Sequence, residues 1–495
     1  MKKIPIILLA LLCADAYAFD WKSQTNDELR NGMLEYARDF ASETKGTKAG
    51  RILDELITRQ EKAADPYSWV ADTHEAVAAL KELCGPTVAN TYKSSRADEK
   101  KWRLRQRTLE LLDYPLHVDE KSPDCPAGLR DAYAVSKDTY LSGTRKEALE
   151  WLRKSSPEIG KLGIFKVYNM GFFLRTSERI VAIDIRWDGS VDEAKEIAST
   201  VDMLFLTHPH RDHYSKTLLY AFAQAGKSVI IPSNVLPEYT AANKILMNDC
   251  DTPVNIQGVS VTSLRGNQGD GIPNNVYILE FDGWRIIHQG DNYDREQESR
   301  VSDYPAADVL IVSSWNEMKN IVKAADDAEG PSPLLIPAHE NELNEHGVSN
   351  RESYHELFSR PDRLGDSDFG YPAYVLLDNG EYITLQKGQY IKKGADPEEF
   401  GRVYSNVMDR IRQVPGVQVG PDGNLTIRGV NSVNSISAPL ILLDGAEVKD
   451  ISAVNPYDIE SVQVLKDAET VIYGFRGVGG VILITTKKGK AQESK

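Results

Sequence analysis

Between residues 26 and 157 apolar positions return every three or four residues. Leu29, Met33, Leu34, Ala37 and Phe40 form one such face. Leu53, Leu56 and Ile57 form another, Ala76, Val77, Leu80 and Leu83 a third, and Leu104, Leu109, Leu111 and Leu112 a fourth, before Ala148, Trp151 and Leu152. That spacing predicts a run of amphipathic helices over 19–157. From about residue 158 the texture changes to short apolar runs at 164–168, 172–175 and 180–185, which predict strands. The block at 203–206 is apolar throughout and reads as a buried strand. Asp282-Gly283 separates two apolar runs, 276–281 and 284–288, and so predicts a hairpin. Strands then alternate with helical stretches to about residue 390, the pattern of sheets covered by helices. A linker near 392–397 opens a third region, short, β-rich and full of Gly, Asn and Ser turns.

Composition narrows the class. A chain of 495 residues suggests about three domains. With 41% hydrophobic and 26% charged residues it is neither disordered nor polytopic. Its net charge of −15 argues against general nucleic-acid binding, which needs excess cation to displace phosphate counterions. Lys2 and Lys3, the apolar 4–12 and Ala16-Tyr17-Ala18 read as a secretory signal cleaved after Ala18. Lipidation at Cys13 is disfavoured by Leu12 before it. No later stretch is apolar for the ~20 residues a membrane span needs. Four Cys exclude a disulfide-dense scaffold; Cys84 and Cys125 are equally readable as a bridge or as buried thiols, and Cys250 as packing. The cations between 93 and 107, Arg103, Arg105 and Arg107 among them, read as a solvated helix face rather than an anion-docking surface.

The sharpest feature follows the strand at 203–206. Thr207-His208-Pro209-His210-Arg211-Asp212-His213 packs three of the nine His and one Asp into six residues. Imidazole and carboxylate are ligands that zinc prefers. Residues two apart on an extended loop grip one ion, and the next Asp-His pair turns toward a second. This run resembles the H-x-H-x-D-H signature of the metallo-β-lactamase fold hydrolases. His288-Gln289-Gly290-Asp291 resembles the Gly-Asp element whose carboxylate bridges two metals, and Pro337-Ala338-His339 resembles the last metal-ligand His. Asp184 matches a structural strand-end Asp of that family. The resemblance covers about 158–390 and looks closest to the ascorbate-6-phosphate lactonase and phospholipase-D-type branch. It implies a metal set of His208, His210, Asp212, His213, Asp291 and His339, with Asp212 and His288 as catalytic candidates. One element departs: no His lies between His213 and His288, where the family usually has a further ligand. Asn267, Asp270 or water would complete that first site. The implied cofactor is one or two divalent ions, zinc first, with manganese or iron as alternatives. The implied chemistry is hydrolysis, because a bound divalent cation lowers the pKa of its water to about 7. The resulting hydroxide would attack an ester, lactone or phosphodiester. A packed strand-end His is an equal reading for His288; His346 and His355 read as surface residues, His74 and His117 as incidental.

Residues 403–490 carry a second set of motifs. Val414-Pro415-Gly416-Val417, Leu425-Thr426-Ile427-Arg428-Gly429 and Leu442-Leu443-Asp444-Gly445 come first. Asn455-Pro456-Tyr457-Asp458-Ile459-Glu460-Ser461-Val462, Val464-Leu465-Lys466-Asp467-Ala468 and Gly480-Val481-Ile482-Leu483-Ile484-Thr485-Thr486 follow in order. The set is similar to the plug domain of TonB-dependent outer-membrane receptors. The alternating ~10-residue strands of a barrel do not follow it here, so a free-standing module is expected rather than a transporter.

The expected architecture is α/β: a signal peptide (1–18), a helical region (19–157), an αββα metallo-β-lactamase-type sandwich (158–393) and a small α+β plug-like domain (396–490). The expected function is an exported metal-dependent hydrolase, periplasmic or outer-membrane-associated in a Gram-negative cell. Its substrate is expected to be a small molecule or a lipid or sugar ester, and its plug-like domain to meet an envelope protein. The alternative is a non-catalytic envelope binding or scaffold protein with a degraded metal site, associated with TonB-dependent uptake.

Overall fold

The computed structural model describes residues 25–90, 96–343 and 373–387, apart from 155, 270, 316 and 317. It also describes 348, 351–360 and 364, and, in the C-terminal part, the strands and short pieces between 417 and 486. The signal expected at 1–18, Asp270 and His346 lie outside the described residues. The chain divides into two compact units, 1–394 and 395–495.

Five helices open the first unit: α1 (Asn26–Glu43), α2 (Lys48–Glu61), α3 (Trp69–Cys84), α4 (Arg96–Leu116) and α5 (Ala127–Arg153). Thr25 and Glu28 start α1 with reciprocal side-chain caps that satisfy two of its unpaired N–H groups. The apolar faces read from the sequence are the buried ones: Leu29, Met33, Phe40, Leu53, Leu56, Val77, Leu80 and Leu112 share one core. One element differs from the helical expectation. β1 (Val88–Asn90) pairs antiparallel with β14 (Ala373–Val375), at the edge of the larger sheet. Three residues are too few to show a period of two, so nothing in the local pattern announces this strand.

The larger sheet runs β1, β14, β13 (Leu334–Ala338), β12 (Val309–Ser313), β11 (Trp284–His288), β10 (Pro273–Phe281), β9 (Val259–Asn267), β8 (Cys250–Ile256). The smaller runs β15 (Glu381–Gln386), β2 (Lys161–Tyr168), β3 (Gly171–Arg175), β4 (Ile180–Ile183), β5 (Met203–Phe205), β6 (Ser228–Pro232), β7 (Lys244–Met247). The hairpin expected at Asp282-Gly283 joins β10 to β11 with Phe281 opposite Trp284. Both loop residues have positive φ (49° and 80°), the conformation a two-residue type I′ turn requires. Side chains alternate across each strand and so serve two layers. On β10, Val276 and Ile278 join the core shared with α1 to α4, whereas Tyr277 meets Phe205 of the smaller sheet edge-to-face at 5.3 Å. The outer face of the smaller sheet packs on α5, α6 (Val191–Thr200) and α7 (Lys216–Ala225) through Trp151, Phe173, Ile197 and Phe222. The order helix, sheet, sheet, helix is the expected αββα sandwich.

Buried polar pairs fasten the helices to the sheets. Arg105, which the sequence suggested as part of a solvated face, is buried; it pairs with Glu381 and donates to the Leu376 carbonyl (2.9 Å). Arg103 and Arg107 pair with Glu43 (3.2 Å) and Asp39 (2.8 Å), so these three cations are used within the protein, whereas Lys100 and Lys101 are exposed as expected. Asp378 takes hydrogen bonds from the Tyr140 hydroxyl (2.7 Å) and the Tyr354 hydroxyl (2.9 Å) and pairs with Lys81. Cys84, Cys125 and Cys250 are all free, which decides against a Cys84–Cys125 bridge.

In the second unit, strands β16 (Val417–Val419) and β17 (Leu425–Ile427) pair with each other. A four-stranded sheet runs β19 (Ala446–Glu447), β18 (Leu440–Leu443), β21 (Val481–Thr486), β20 (Ile459–Leu465). Val417, Leu425, Ile427, Ile451, Ile482 and Ile484 form its core.

Two His of the helical region, the half-buried His74 and the buried His117, sit where charge is not easily hosted. Burial, reinforced by Lys81, pushes His74 down to about 4. Burial likewise pushes His117 down to about 3, Arg351 adding to it. In the unfolded chain both titrate near 6.5. Their folded values are depressed, so the unfolded state binds more protons between about pH 6.5 and 3, and stability falls with pH across that window. Asp378 does not share the window: despite its burial, Lys81 brings its carboxyl down to about 2. Burial acts in the opposite sense on Asp113, raised well above its usual value, and on Glu298, raised to about 7. The His contribution therefore shows as a difference: the denaturant midpoint of His117→Gln, read by Trp fluorescence, every Trp lying before residue 316, is expected to gain on that of wild type as pH falls from 7 to 4.5; a constant difference would contradict this account.

Candidate metal centre

The proposed ligands leave the sandwich where parallel strands end. β4 and β5 run parallel in the smaller sheet, and β11, β12 and β13 in the larger. In open α/β sheets, ligands bind at the carboxyl ends of such strands. Asp184 follows β4, the His208–His213 run follows β5, Asp291 follows β11 and His339 follows β13.

The side chains converge. Asp212, His213, Asp291 and His339 each bring one donor atom within 4.8 Å of all the others, and all four are buried. His213 Nε2 lies 3.0 Å from Asp212 Oδ2 and 3.2 Å from Asp291 Oδ2; His339 Nε2 lies 3.4 and 3.2 Å from the same two oxygens. His208, His210 and Asp291 form a second group, with His210 half-buried.

Asp184 aims two of these rings. Its carboxylate accepts from the Thr207 N–H (2.7 Å), the Thr207 hydroxyl (2.6 Å) and His213 Nδ1 (2.8 Å). With the Thr207 hydroxyl donating to Asp184, His208 Nδ1 is the donor to Thr207 Oγ1 (3.1 Å), an assignment made from the partners. Both imidazoles therefore turn Nε2 toward the cluster, the arrangement that outer partners impose on metal-binding His. Asn169, at φ 49°, donates from Nδ2 to Asp212 Oδ2 (3.1 Å). The Asp291 N–H donates to Asn274 Oδ1 (3.1 Å). Gly290 permits that turn: at φ 61°, an added Cβ would collide with Asn274 Oδ1 and lie 2.7 Å from Thr207 Cβ.

Electrostatics separate the His. Burial, with His213 beside it, pushes His208 down to about 3, leaving a neutral donor. Burial also opposes charge on His213 and His339, but the carboxylates overcome it: Asp212 and Asp291 hold His213 well above its usual value, and Asp291 and Asp212 lift His339 to about 10. Against their own burial, Asp212 and Asp291 stay well below the usual carboxylate range beside those two rings. His208 Nε2 and Asp291 Oδ1 are buried with no hydrogen-bond partner. Two buried carboxylates and two imidazoles in one convergent group, with the orphaned Asp291 Oδ1 in it and the orphaned His208 Nε2 in the neighbouring group, fit a divalent cation, which needs that donor set.

Other candidates lie elsewhere. His288 is buried inside the sandwich, its Nε2 2.8 Å from the Met170 carbonyl and its Nδ1 accepting the Gly290 N–H (3.2 Å). It stands outside every convergent donor group among the described residues. Asn267 does not turn into the cluster: its Nδ2 donates toward Asp294 (3.4 Å) and its Oδ1 accepts the Gly269 N–H (3.1 Å). Asn169, Asn274, Trp315 and Lys166 were not singled out from the sequence. The Trp315 ring stacks on His339 at 5.4 Å and 7°. Lys166, wholly buried, pairs with Glu340 at 2.6 Å. The one signal available was Lys166, a Lys inside an otherwise apolar strand; Asn169 stands in the turn after that strand and Asn274 at the polar start of β10.

Residues 168–328 match the beta-lactamase superfamily domain, and 394–481 match the TonB-dependent receptor plug domain. The chain joins a beta-lactamase superfamily domain to a TonB-dependent receptor plug domain. The plug resembles that of TonB-dependent receptor P39 of Formosa agariphila, 47% identical over 85 residues, 16% of this chain and 8% of the receptor. It also resembles SusC of Bacteroides thetaiotaomicron, 40% identical over 141 residues, 23% of this chain and 14% of the receptor. The chain thus spans only about a tenth of the length of these curated relatives. Among solved structures, a metallo hydrolase of Ignicoccus hospitalis aligns over 46% of this chain and 99% of its own, at 14% identity and TM-score 0.36. An isothiocyanate hydrolase from Delia radicum gut bacteria aligns over 45% and 99%, at 13% and 0.34.

Within the metallo-β-lactamase-fold domain, Asp184→Asn replaces an acceptor of three hydrogen bonds with a group that also donates. The two imidazoles lose their common anchor, so zinc affinity, measured by competition with a chromogenic chelator, is expected to drop about 10–100-fold. Unchanged affinity would contradict the anchoring role.

Proposed function

We propose that the αββα domain is a metal-dependent hydrolase acting on an ester, lactone or phosphodiester, and that it is exported to the cell envelope. The observation that carries this reading is the convergence of Asp212, His213, Asp291 and His339, all buried, with the Asp291 Oδ1 left without a hydrogen-bond partner. These four residues would hold one ion firmly. His208, His210 and Asp291 would offer a weaker second place, since Asn267 is engaged elsewhere and supplies no third donor. A single ion, zinc first with manganese or iron as alternatives, is therefore the favoured occupancy.

A divalent cation supplies Lewis acidity and brings the pKa of water it binds to about 7. The chain's own groups do the rest. Asn169 fixes the Asp212 carboxylate, which is assigned the orientation of the attacking water and the uptake of its proton. Trp315 and the half-buried His210 flank the cluster and are placed to meet substrate. His288 is assigned a positioning role, because both its nitrogens are engaged by backbone groups. It holds the Gly290-Asp291 turn.

The plug domain supports an envelope location, since the relatives that share it are TonB-dependent receptors by name. There it would serve as an interaction module for an envelope protein. Among the described residues no helix is long and apolar enough to cross a membrane.

The purified protein is expected to contain near-stoichiometric metal and to hydrolyse at least one compound in an ester, lactone, amide and phosphodiester panel. A His208→Ala, His213→Ala double variant should lose both. Metal without any activity across the panel would favour the scaffold reading. In envelope fractions the mature chain should begin at Phe19 and recover a protein partner that is lost on deleting 396–495. An intact N-terminus, or the same partners without the plug, would contradict export or the plug's role.

A further inference from the structure

Asp113 sits on α4, in the helical region, and is wholly buried. It belongs to none of the convergent donor groups. All three of the hydrogen bonds its carboxylate accepts come from the chain that follows His339. Oδ1 accepts from Asn341 Nδ2 (2.9 Å) and from the Tyr354 N–H (3.0 Å), and Oδ2 accepts from the His355 N–H (2.8 Å). Tyr354 and His355 begin the short helix α8 (Tyr354–Ser359), where N–H groups have no partner within the helix. One carboxylate from a distant helix thus joins that helix start to a side chain two residues beyond His339.

The segment needs such support. His339 has φ 78° and Asn341 φ 52°, both in the left-handed region. Non-glycine residues persist there only where surrounding structure over-determines them. The surroundings are visible. The Ser314 N–H donates to the Ala338 carbonyl (2.7 Å), and the Asn341 N–H to the Glu352 carbonyl (2.7 Å). Lys166 pairs with Glu340, and the Leu343 N–H donates to the Tyr168 hydroxyl (2.8 Å). Lys166 and Tyr168 come from β2 and Asp113 from the helical region, so the segment is clamped from two sides.

We propose that Asp113 is a positioning residue for His339, through which the helical region sets the geometry of the metal site. The proposal rests on reading His339 as a metal ligand. Cobalt(II) titration of the full chain, followed by visible absorption, tests both and separates them. Wild type should bind cobalt, and His339→Ala should lose the tight equivalent. If wild type binds none, or His339→Ala binds like wild type, the ligand reading fails and the proposal with it. Given that reading, Asp113→Asn should weaken cobalt binding by about tenfold or more and alter the visible spectrum. Asn341→Gly keeps the left-handed backbone accessible while removing the Asp113 contact, and should change affinity and spectrum in the same direction. Lys101→Ala, a change at an exposed position of the same helix, should leave both unchanged. A folded Asp113→Asn protein with wild-type affinity and spectrum overturns the proposal. If Asp113→Asn fails to fold, Asn341→Gly decides alone, and wild-type binding by it overturns the proposal equally.

Discussion

Two carboxylates taken out of water side by side are the constraint around which the αββα domain is arranged. Asp212 and Asp291 are both buried, and both lie within 3.4 Å of the same His339 nitrogen. Like charges about 4 Å apart repel by about 4 kcal/mol at the effective dielectric of a partly buried site. Positive charge must meet them: protons on His213 and His339, or a cation in place of those protons. Every neighbouring device serves that need. Asp184 aims His208 and His213, Asn169 holds Asp212, Asn274 holds the Asp291 backbone, and Gly290 makes room for the turn.

The helical region belongs to this arrangement. Breaking a buried ion pair from one side costs about 3–5 kcal/mol, because the partner charge stays buried and uncompensated. Arg105 with Glu381 and Lys81 with Asp378 each set one buried charge against a half-buried partner, so they lie below that range, and each spans helix and sandwich. β1 adds its strand to the larger sheet. The helices cover the outer face of that sheet and also reach, through Asp113, the chain beyond His339. The C-terminal plug domain has its own core, built from residues of its own sheets.

The sequence was legible where its signal was local. Helical periodicity located the buried faces of α1 to α4, and Asp282-Gly283 announced a hairpin whose backbone adopts the expected turn. A dense His-Asp run after an apolar strand pointed to the loop that the fold places among Asp291 and His339. Elsewhere the determining contacts are distant in sequence. Asp113 and Asn341 are 228 residues apart, and a lone Asp on a helix carries no mark of such a partner. Arg105 sat in a cation run that resembled a solvated face, yet a carboxylate 276 residues away buries it. His288 was open to two readings because a strand-end His can face either the mouth or the interior of a sandwich. Its contact with the Met170 carbonyl places it in the interior.

The central claim is that Asp212, His213, Asp291 and His339 bind one divalent cation. Crystals of the protein soaked in zinc, with data collected above and below the zinc edge, test it most directly. The account predicts one strong anomalous peak with its ligand atoms at about 2.0–2.2 Å from these four side chains. A peak held only by surface groups, or none at all, would contradict it.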